Sequence, residues 1–298
     1  MSTRGSKKKS GKASATKKAR APKKARAPKK ARALYLYCIG ESGALSPLIK
    51  ADLPGAIESD ARIEMVAASG LGAVMSAVPT ADYGEGALEE RLNNASWAAV
   101  RVMRHEQVVE HFARRASVIP LRFGTIYLRR DRVEQMLADN GAEFLSTIER
   151  LRGKEEWGVN VYLTRARLME ALTTISPRLR EFAEQAATAS PGQAYLLRKK
   201  IEALRADEAR VEIKRATSGI ERELASSSDG ASRLRVMKDE TTEQGEVAAK
   251  LAFLVSRSRF DEFRAAAETM AEKYAASGFK LELTGPWPAY NFADQSGE

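Results

Sequence analysis

Cysteine and histidine are nearly absent from this 298-residue sequence, which has one of the first, Cys38, and two of the second, His105 and His111. A single thiol excludes a disulfide framework and fits a reducing compartment. So few imidazoles and thiols leave a Ser-His-Asp or Cys-His arrangement short of members. Cys38 also lies in an apolar run with no neighbouring cue for activation. His105 and His111 stand six residues apart, whereas two histidines sharing a metal on one helix face stand at i and i+4. His105 reads as a hydrogen-bonded packing residue and His111 as a surface one. Neither a phosphate-cradling G-x-x-x-x-G-K-[ST] loop nor a G-x-G-x-x-G turn occurs; Gly84-Glu85-Gly86 stops short of the latter. Glu89-Glu90 and Glu155-Glu156 read as solvated adjacent charges. Nothing in these residues points to an enzyme, a cofactor or a metal.

Long apolar runs are missing as well, since none reaches the ~18 residues a membrane helix requires. The N-terminus is basic without a following apolar stretch, unlike a secretory signal, and a soluble cytoplasmic protein is expected. Acidic residues are absent from positions 1–33, which hold ten lysines and four arginines and so carry +14. Set against the formal +10 of the whole chain, this leaves residues 34–298 at −4. The basicity is thus confined to a tail that repeats Lys17-Lys18-Ala19-Arg20-Ala21-Pro22, again over 23–28 and in shortened form over 29–33. With no large apolar residue between Met1 and Leu34, disorder is expected there. Such a tail can be a solubilising arm, a nucleic-acid or other polyanion binder through salt-sensitive contacts, or a grip on an acidic protein.

What is present beyond the tail is a succession of strand and helix patterns. Leu34–Ile39 reads as a strand, and Arg62–Ser69 with Gly72–Val78 as a hairpin turning at Gly70-Leu71-Gly72. A long helix is expected from about Gly86 to Ala116, with Leu88, Leu92, Ala95, Ala99, Val102, Val109 and Ala113 as its apolar stripe. A further helix starts near Asp131 and Glu134, with Gly141 kinking or ending it. These patterns predict an N-terminal α+β domain over 34–153, with a polar boundary at Gly153-Lys154-Glu155-Glu156.

The remainder, 154–298, reads as a second domain. A strand over Trp157–Leu163 precedes helical sequence from about Arg165. Ser190-Pro191-Gly192-Gln193 then opens a long helix whose stripe includes Leu197, Ile201, Leu204 and Val211. An amphipathic strand near Arg233–Lys238, an apolar strand over Val247–Val255, a helix from Ser258 and a strand over Phe279–Leu283 follow. This gives the ferredoxin-like order βαββαβ with a long helical insertion.

Three stretches are candidate partner-binding elements. Ser117–Tyr127 is strand-like yet holds Pro120, Arg122 and Gly124, so Arg122, Phe123 and Gly124 mark either an architectural hub or a partner surface. Arg233, Leu234, Arg235 and Val236 would lie on an edge strand, where unpaired backbone groups accept strand addition and cations discourage self-pairing. Gly285, Pro286, Trp287, Pro288 and Tyr290 form a stiff strip that should not continue a ladder; its aromatics either cover a core or dock a partner.

Several of these segments together resemble the gas vesicle protein F/L (GvpF/GvpL) family. They are Tyr35-Leu36-Tyr37, His105 with Val108 ahead of Val118–Thr125, Trp157-Gly158-Val159, Gly192-Gln193-Ala194-Tyr195-Leu196 and Leu283-Thr284-Gly285-Pro286-Trp287-Pro288, spanning about 34–293. The chain departs from the family pattern at Ala289, where a second proline usually precedes the tyrosine. The basic tail lies outside the shared region. The resemblance implies a two-domain α+β protein with a ferredoxin-like C-terminal part. It also implies a non-enzymatic accessory or minor structural protein of gas vesicle assembly, associated with the hydrophobic shell protein, gas vesicle protein A, and with other accessory proteins at the gas vesicle.

Overall fold

The structure is a computed structural model that describes Met1 and residues 31–293; the expectation of disorder over 1–33 falls almost wholly outside them. Strand β1 (Arg32–Glu41) starts two residues before Leu34, because Ala33 pairs with Val78 and is fully buried. Helix α1 (Ser42–Ile49) follows, where the sequence pattern shows no element. The hairpin forms as β2 (Ile63–Ala68) and β3 (Leu71–Pro79). After a short α2 (Thr80–Tyr83), the one long helix expected from about Gly86 is two, α3 (Ala87–Leu92) and α4 (Ala95–Ala113). The break falls at Asn93-Asn94, where the Asn94 side chain accepts the Trp97 N–H at 3.0 Å and starts a new helix. Its stripe is also shifted. Leu92, Ala95, Ala99 and Val102 are exposed; Val109 is buried as expected, joined by His105, Val108 and Phe112.

Short strands β4 (Val118–Pro120) and β5 (Ile126–Tyr127) both pair with β1. Helices α5 (Arg130–Asp139) and α6 (Gly141–Leu151) are separated at Asn140, as Gly141 leads one to expect. The first sheet is antiparallel in the order β2-β3-β1-β4, with β5 also on β1. Its central strand is buried on both faces. Tyr35, Tyr37 and Cys38 point to α4, while Leu36 and Ile39 point to α5 and α6. A bulge between Leu36 and Cys38 places Tyr37 and Cys38 on the same side.

The second sheet comprises β6 (Lys154–Leu163), β7 (Gly230–Leu234), β8 (Thr241–Thr242), β9 (Gly245–Ser256) and β10 (Phe279–Trp287). It is antiparallel in the order β10-β6-β9-β7, with β8 also on β9. Helices α7 (Arg165–Ile175), α8 (Pro177–Thr188) and α9 (Pro191–Ser226) lie between β6 and β7, and α10 (Phe260–Ala275) follows a 3-10 turn after β9. Val159, Val161, Leu251, Phe253 and Val255 face these helices and meet Leu172, Ile220, Leu224, Phe263 and Met270. Helix α9 opens as its sequence predicts, with the Ser190 N–H donating to Gln193 Oε1 at 3.4 Å. Its stripe differs, because Val211 is exposed while Glu208 and Glu212 are buried. Glu208 accepts from Ser176 Oγ at 2.8 Å and pairs with Arg178 at 3.2 Å, and Glu212 pairs with Arg215 at 2.5 Å. These partners keep the buried carboxylates from standing as unpaired charges, although burial still raises the Glu212 pKa.

Candidate functional site

The site is organised around His105, which α4 delivers fully buried beneath β1. Its ring stacks on Tyr37 with centroids 5.8 Å apart, and Phe123 meets its edge at 5.7 Å. Nδ1 lies 2.9 Å from Tyr35 Oη, and Nε2 lies 3.2 Å from Tyr290 Oη. Tyr35 Oη accepts the Gly124 N–H at 3.2 Å, and Tyr290 Oη donates to the Glu106 carboxylate at 3.1 Å. These partners fix a direction: Tyr35 donates to Nδ1, and Nε2–H donates to Tyr290. Burial pushes the His105 pKa down to about 4, so the ring is neutral near pH 7. The same burial raises Tyr35, Tyr290 and Glu106 above their ordinary values.

Ser117–Tyr127 therefore splits its roles. Phe123 packs in the cluster, and Gly124, at φ +88°, brings its amide to Tyr35. A side chain at Gly124 would strain that backbone and press within 3.2 Å of Leu88. Arg122 is exposed and faces a hollow lined by Glu143, Phe144 and Tyr290. His105 is a hydrogen-bonded packing residue as expected. His111 is half-buried rather than on the surface, and burial, with Arg115 nearby, lowers its pKa. Burial raises the Cys38 thiol well above its ordinary range, leaving it protonated.

The C-terminal strip departs from the stiff extended tail that its prolines suggest. The β10 ladder resumes after a bulge between Thr284 and Trp287, and Trp287 pairs with Glu156. Gly285 makes this possible at φ +124°, where an added Cβ would stand 3.0 Å from the Glu156 carbonyl. Helix α11 (Tyr290–Ala293) then turns back over the molecule. Tyr290 packs into the core beneath α4, while Phe292 joins Leu151, Ala252 and Leu254 on the outer face of the second sheet. Glu156 is buried, not a solvated charge. It accepts the Asn291 backbone N–H at 2.9 Å and the side-chain amide at 2.5 Å, and burial raises its pKa.

Trp287 does not turn in; it is 54% exposed, with its Nε1–H on Thr284 Oγ1 at 3.2 Å. With Pro286, Pro288 and Ala289 it borders a cleft of about 300 Å³ floored by Val118, Leu151, Ala113 and Ala116. Arg114, Arg115, Arg152, Lys154 and Arg257 stand around it, against Glu110 and Glu155.

The edge strand is earlier and shorter than expected. β7 ends at Leu234, and Arg235 and Val236 lie beyond it, because β8 takes over pairing with β9. Arg233 is tied to Glu221 at 2.6 Å and Leu234 packs against the Phe292 cluster. The fold thus joins Phe123 and Gly124 to Tyr290 through His105, and reaches β7 through Leu234. Sequence reasoning misses Glu156, Asn291 and the cations of the cleft; Glu156 meets Asn291 135 residues later in the chain, and no local pattern marks such a pair. Among the described residues, no group of three or more His, Cys, Asp or Glu side chains could hold a metal ion, and no helix is long and apolar enough to cross a membrane.

Residues 33–294 match the family model for gas vesicle synthesis protein GvpL/GvpF. Gas vesicle protein L of Streptomyces sp. (strain CB03234) is 30% identical over 225 residues, covering 74% of this chain and 79% of that protein. Gas vesicle protein L1 of Halobacterium salinarum is 24% identical over 278 residues, covering 89% and 91%. The crystal structure of GvpF from Anabaena sp. PCC7120 superposes with a TM-score of 0.62 at 18% identity, covering 90% of this chain and 98% of that one. GvpF from Microcystis aeruginosa gives 0.57 at 14% identity, with 88% and 99% covered.

Proposed function

This chain belongs to the gas vesicle synthesis protein GvpL/GvpF family, and from that premise we propose that it is a non-enzymatic accessory or minor structural protein of gas vesicle assembly. In this reading it binds the hydrophobic shell protein, gas vesicle protein A, and other accessory proteins, and resides at the gas vesicle within the prokaryotic cytoplasm. The observation that carries the reading is the family match across residues 33–294. The functional architecture is two domains, 34–153 and 154–298, preceded by the basic tail. A ferredoxin-like second domain is supported by the βαββαβ succession and the order β10-β6-β9-β7.

An apolar shell subunit needs cover for exposed strand edges and apolar surface before it assembles. Two surfaces here suit that role, the outer edge of β7 and the strip Gly285–Tyr290 with Trp287 outward. Deleting the gene in its host and examining cells by microscopy tests the function, with lost or malformed vesicles expected; normal vesicles would overturn it. Leu234→Pro separates the surfaces, since weakened co-purification with shell protein at unchanged circular dichroism assigns the β7 edge.

The tail's +14 over residues 1–33 favours a second reading, a polyanion- or nucleic-acid-binding protein. Gel shifts with and without 1–33 test it. Binding that vanishes with the tail and with salt is an accessory trait of the assembly protein, whereas sequence-selective binding would replace the main reading.

A further inference from the structure

The cleft beside Trp287 combines three features that the fold does not need. It is concave, at about 300 Å³, enough for one or two side chains. Its wall includes a tryptophan left 54% exposed between two prolines, and an exposed aromatic in a stiff frame loses little freedom on binding. Its rim holds five cations, three of them in exposed pairs with the carboxylates of Glu110, Glu155, Glu149 and Glu41.

The pairs these cations make are exposed ones. Arg114 reaches Glu110 at 2.5 Å, Arg152 reaches Glu149 at 2.7 Å and Glu41 at 2.9 Å, and Arg257 reaches Glu155 at 3.0 Å. Arg115 donates to the His111 carbonyl at 2.8 Å. Exposed pairs of this kind contribute about 0–1 kcal/mol and exchange readily for another carboxylate. The rim runs counter to residues 34–298 as a whole, which carry −4. A basic rim on an acidic body selects its partner by charge.

We infer that this cleft receives an acidic segment of a partner protein, one that places a single aliphatic or aromatic side chain against Trp287 between carboxylates. A polyphosphate or nucleic-acid backbone would satisfy the rim but leave Trp287, 54% exposed, uncovered. An uncharged apolar segment would cover Trp287 but bring no carboxylate to the five cations of the rim. The inference rests on the proposed accessory role, which requires a docking face.

The test uses the full-length protein and a fluorescein-labelled peptide, Asp-Glu-Ser-Phe-Glu-Asp, read by fluorescence polarisation. The acid-only peptide Asp-Glu-Ser-Ser-Glu-Asp reports what the basic tail binds alone. Binding of the first should exceed binding of the second, and should weaken about tenfold in Trp287→Ala and in Arg115→Glu with Lys154→Glu. Melting temperature checks folding; if the double reversal does not fold, Arg115→Gln with Lys154→Gln replaces it. Equal binding of both peptides, or binding indifferent to the cleft variants, would assign the tail or a general polyanion site and overturn the inference. So would a self-associated state, seen by sedimentation, that the peptide dissolves and Trp287→Ala abolishes, since the occupant would then be a second copy of this chain. Gene deletion tests the accessory role separately: normal vesicles would overturn that role without touching the peptide result, and cleft-independent binding would overturn the cleft alone.

Discussion

Under the first sheet the core is held by hydroxyls and a ring nitrogen, whereas over the second it is aliphatic and phenylalanine-filled. Tyr35, Tyr37, Tyr83 and His105 each hold a directed hydrogen bond beneath β1: Tyr37 to Ser76 at 2.7 Å, Tyr83 to Glu58 at 2.7 Å, and Tyr35 to His105 at 2.9 Å. Against β6 and β9, the contacts of Phe253, Phe263, Val161 and Leu224 are non-directional. Geometric precision is required under the first sheet and not over the second. Apolar packing tolerates exchange of similar shapes, but a satisfied polar network fixes one arrangement. Here the network fixes the C-terminal segment, because Tyr290 is its last member and Trp287 lies three residues earlier.

The largest effect should come from the apolar side. Phe253 is fully buried against Phe263, with ring centroids 5.3 Å apart, so Phe253→Ala should cost about 3–5 kcal/mol, read as a lower urea midpoint. The contrast between the two cores would fail if Phe253→Leu cost as much, since that would mean a shape-specific interior there too. Next is Tyr35→Phe, which removes only an oxygen yet strands the Gly124 amide and His105 Nδ1. At about 1–3 kcal/mol for a stranded group, a loss of about 2–3 kcal/mol is expected. A neutral result would show that Tyr35 is held by packing alone.

Much of this contrast is legible in the sequence and some is not. Element order, the Ser190–Gln193 helix start, the hairpin and the buried role of His105 all rest on local cues. The Asn93-Asn94 break is hidden because the surrounding apolar residues keep helical spacing through it, although Leu92 and Val102 are exposed. The burial of Glu208 and Glu212 depends on Ser176, Arg178 and Arg215 arriving from neighbouring turns and helices. The prolines at Gly285–Pro288 argue against a ladder, but the ladder crosses them through a bulge. The site is hidden for a related reason. Tyr290 meets His105 185 residues away, and no periodicity encodes that meeting.

A pH series tells the two cores apart, since a histidine is buried in one and not in the other. Unfolded His105 titrates near 6.5 and the folded ring at about 4. Between those values the unfolded state binds the extra proton, so stability falls as pH drops from about 6.5 towards 4. At pH 5 the expected loss is about 2 kcal/mol relative to pH 7. Glu106 and Glu156, with raised pKa values, act in the opposite direction, because the folded state then holds the extra protons. Measuring the protein beside His105→Gln separates the contributions. The variant should lack most of the acid loss, the remainder coming from His111, whose pKa is also lowered, and parallel pH profiles for the two proteins would refute the assignment.

Trp287→Ala should have the smallest effect on stability and a disproportionate one on binding. Trp287 is 54% exposed, and its indole N–H bonds to Thr284, itself only partly buried. Tyr290, Phe292 and Asn291 anchor the segment independently, through His105, Leu254 and Glu156. Truncation should therefore cost about 1 kcal/mol or less, a shift of a few degrees at most in melting temperature. Co-purification with shell protein should drop clearly in the same variant, because a half-exposed tryptophan held between prolines has more to gain from a partner than from its own fold. A melting loss comparable to that of Phe253→Ala would instead make Trp287 a roof over the second sheet. In that case the polar network at His105 would be holding a structural lid, and the boundary between the two cores would lie at Trp287 rather than at Tyr290.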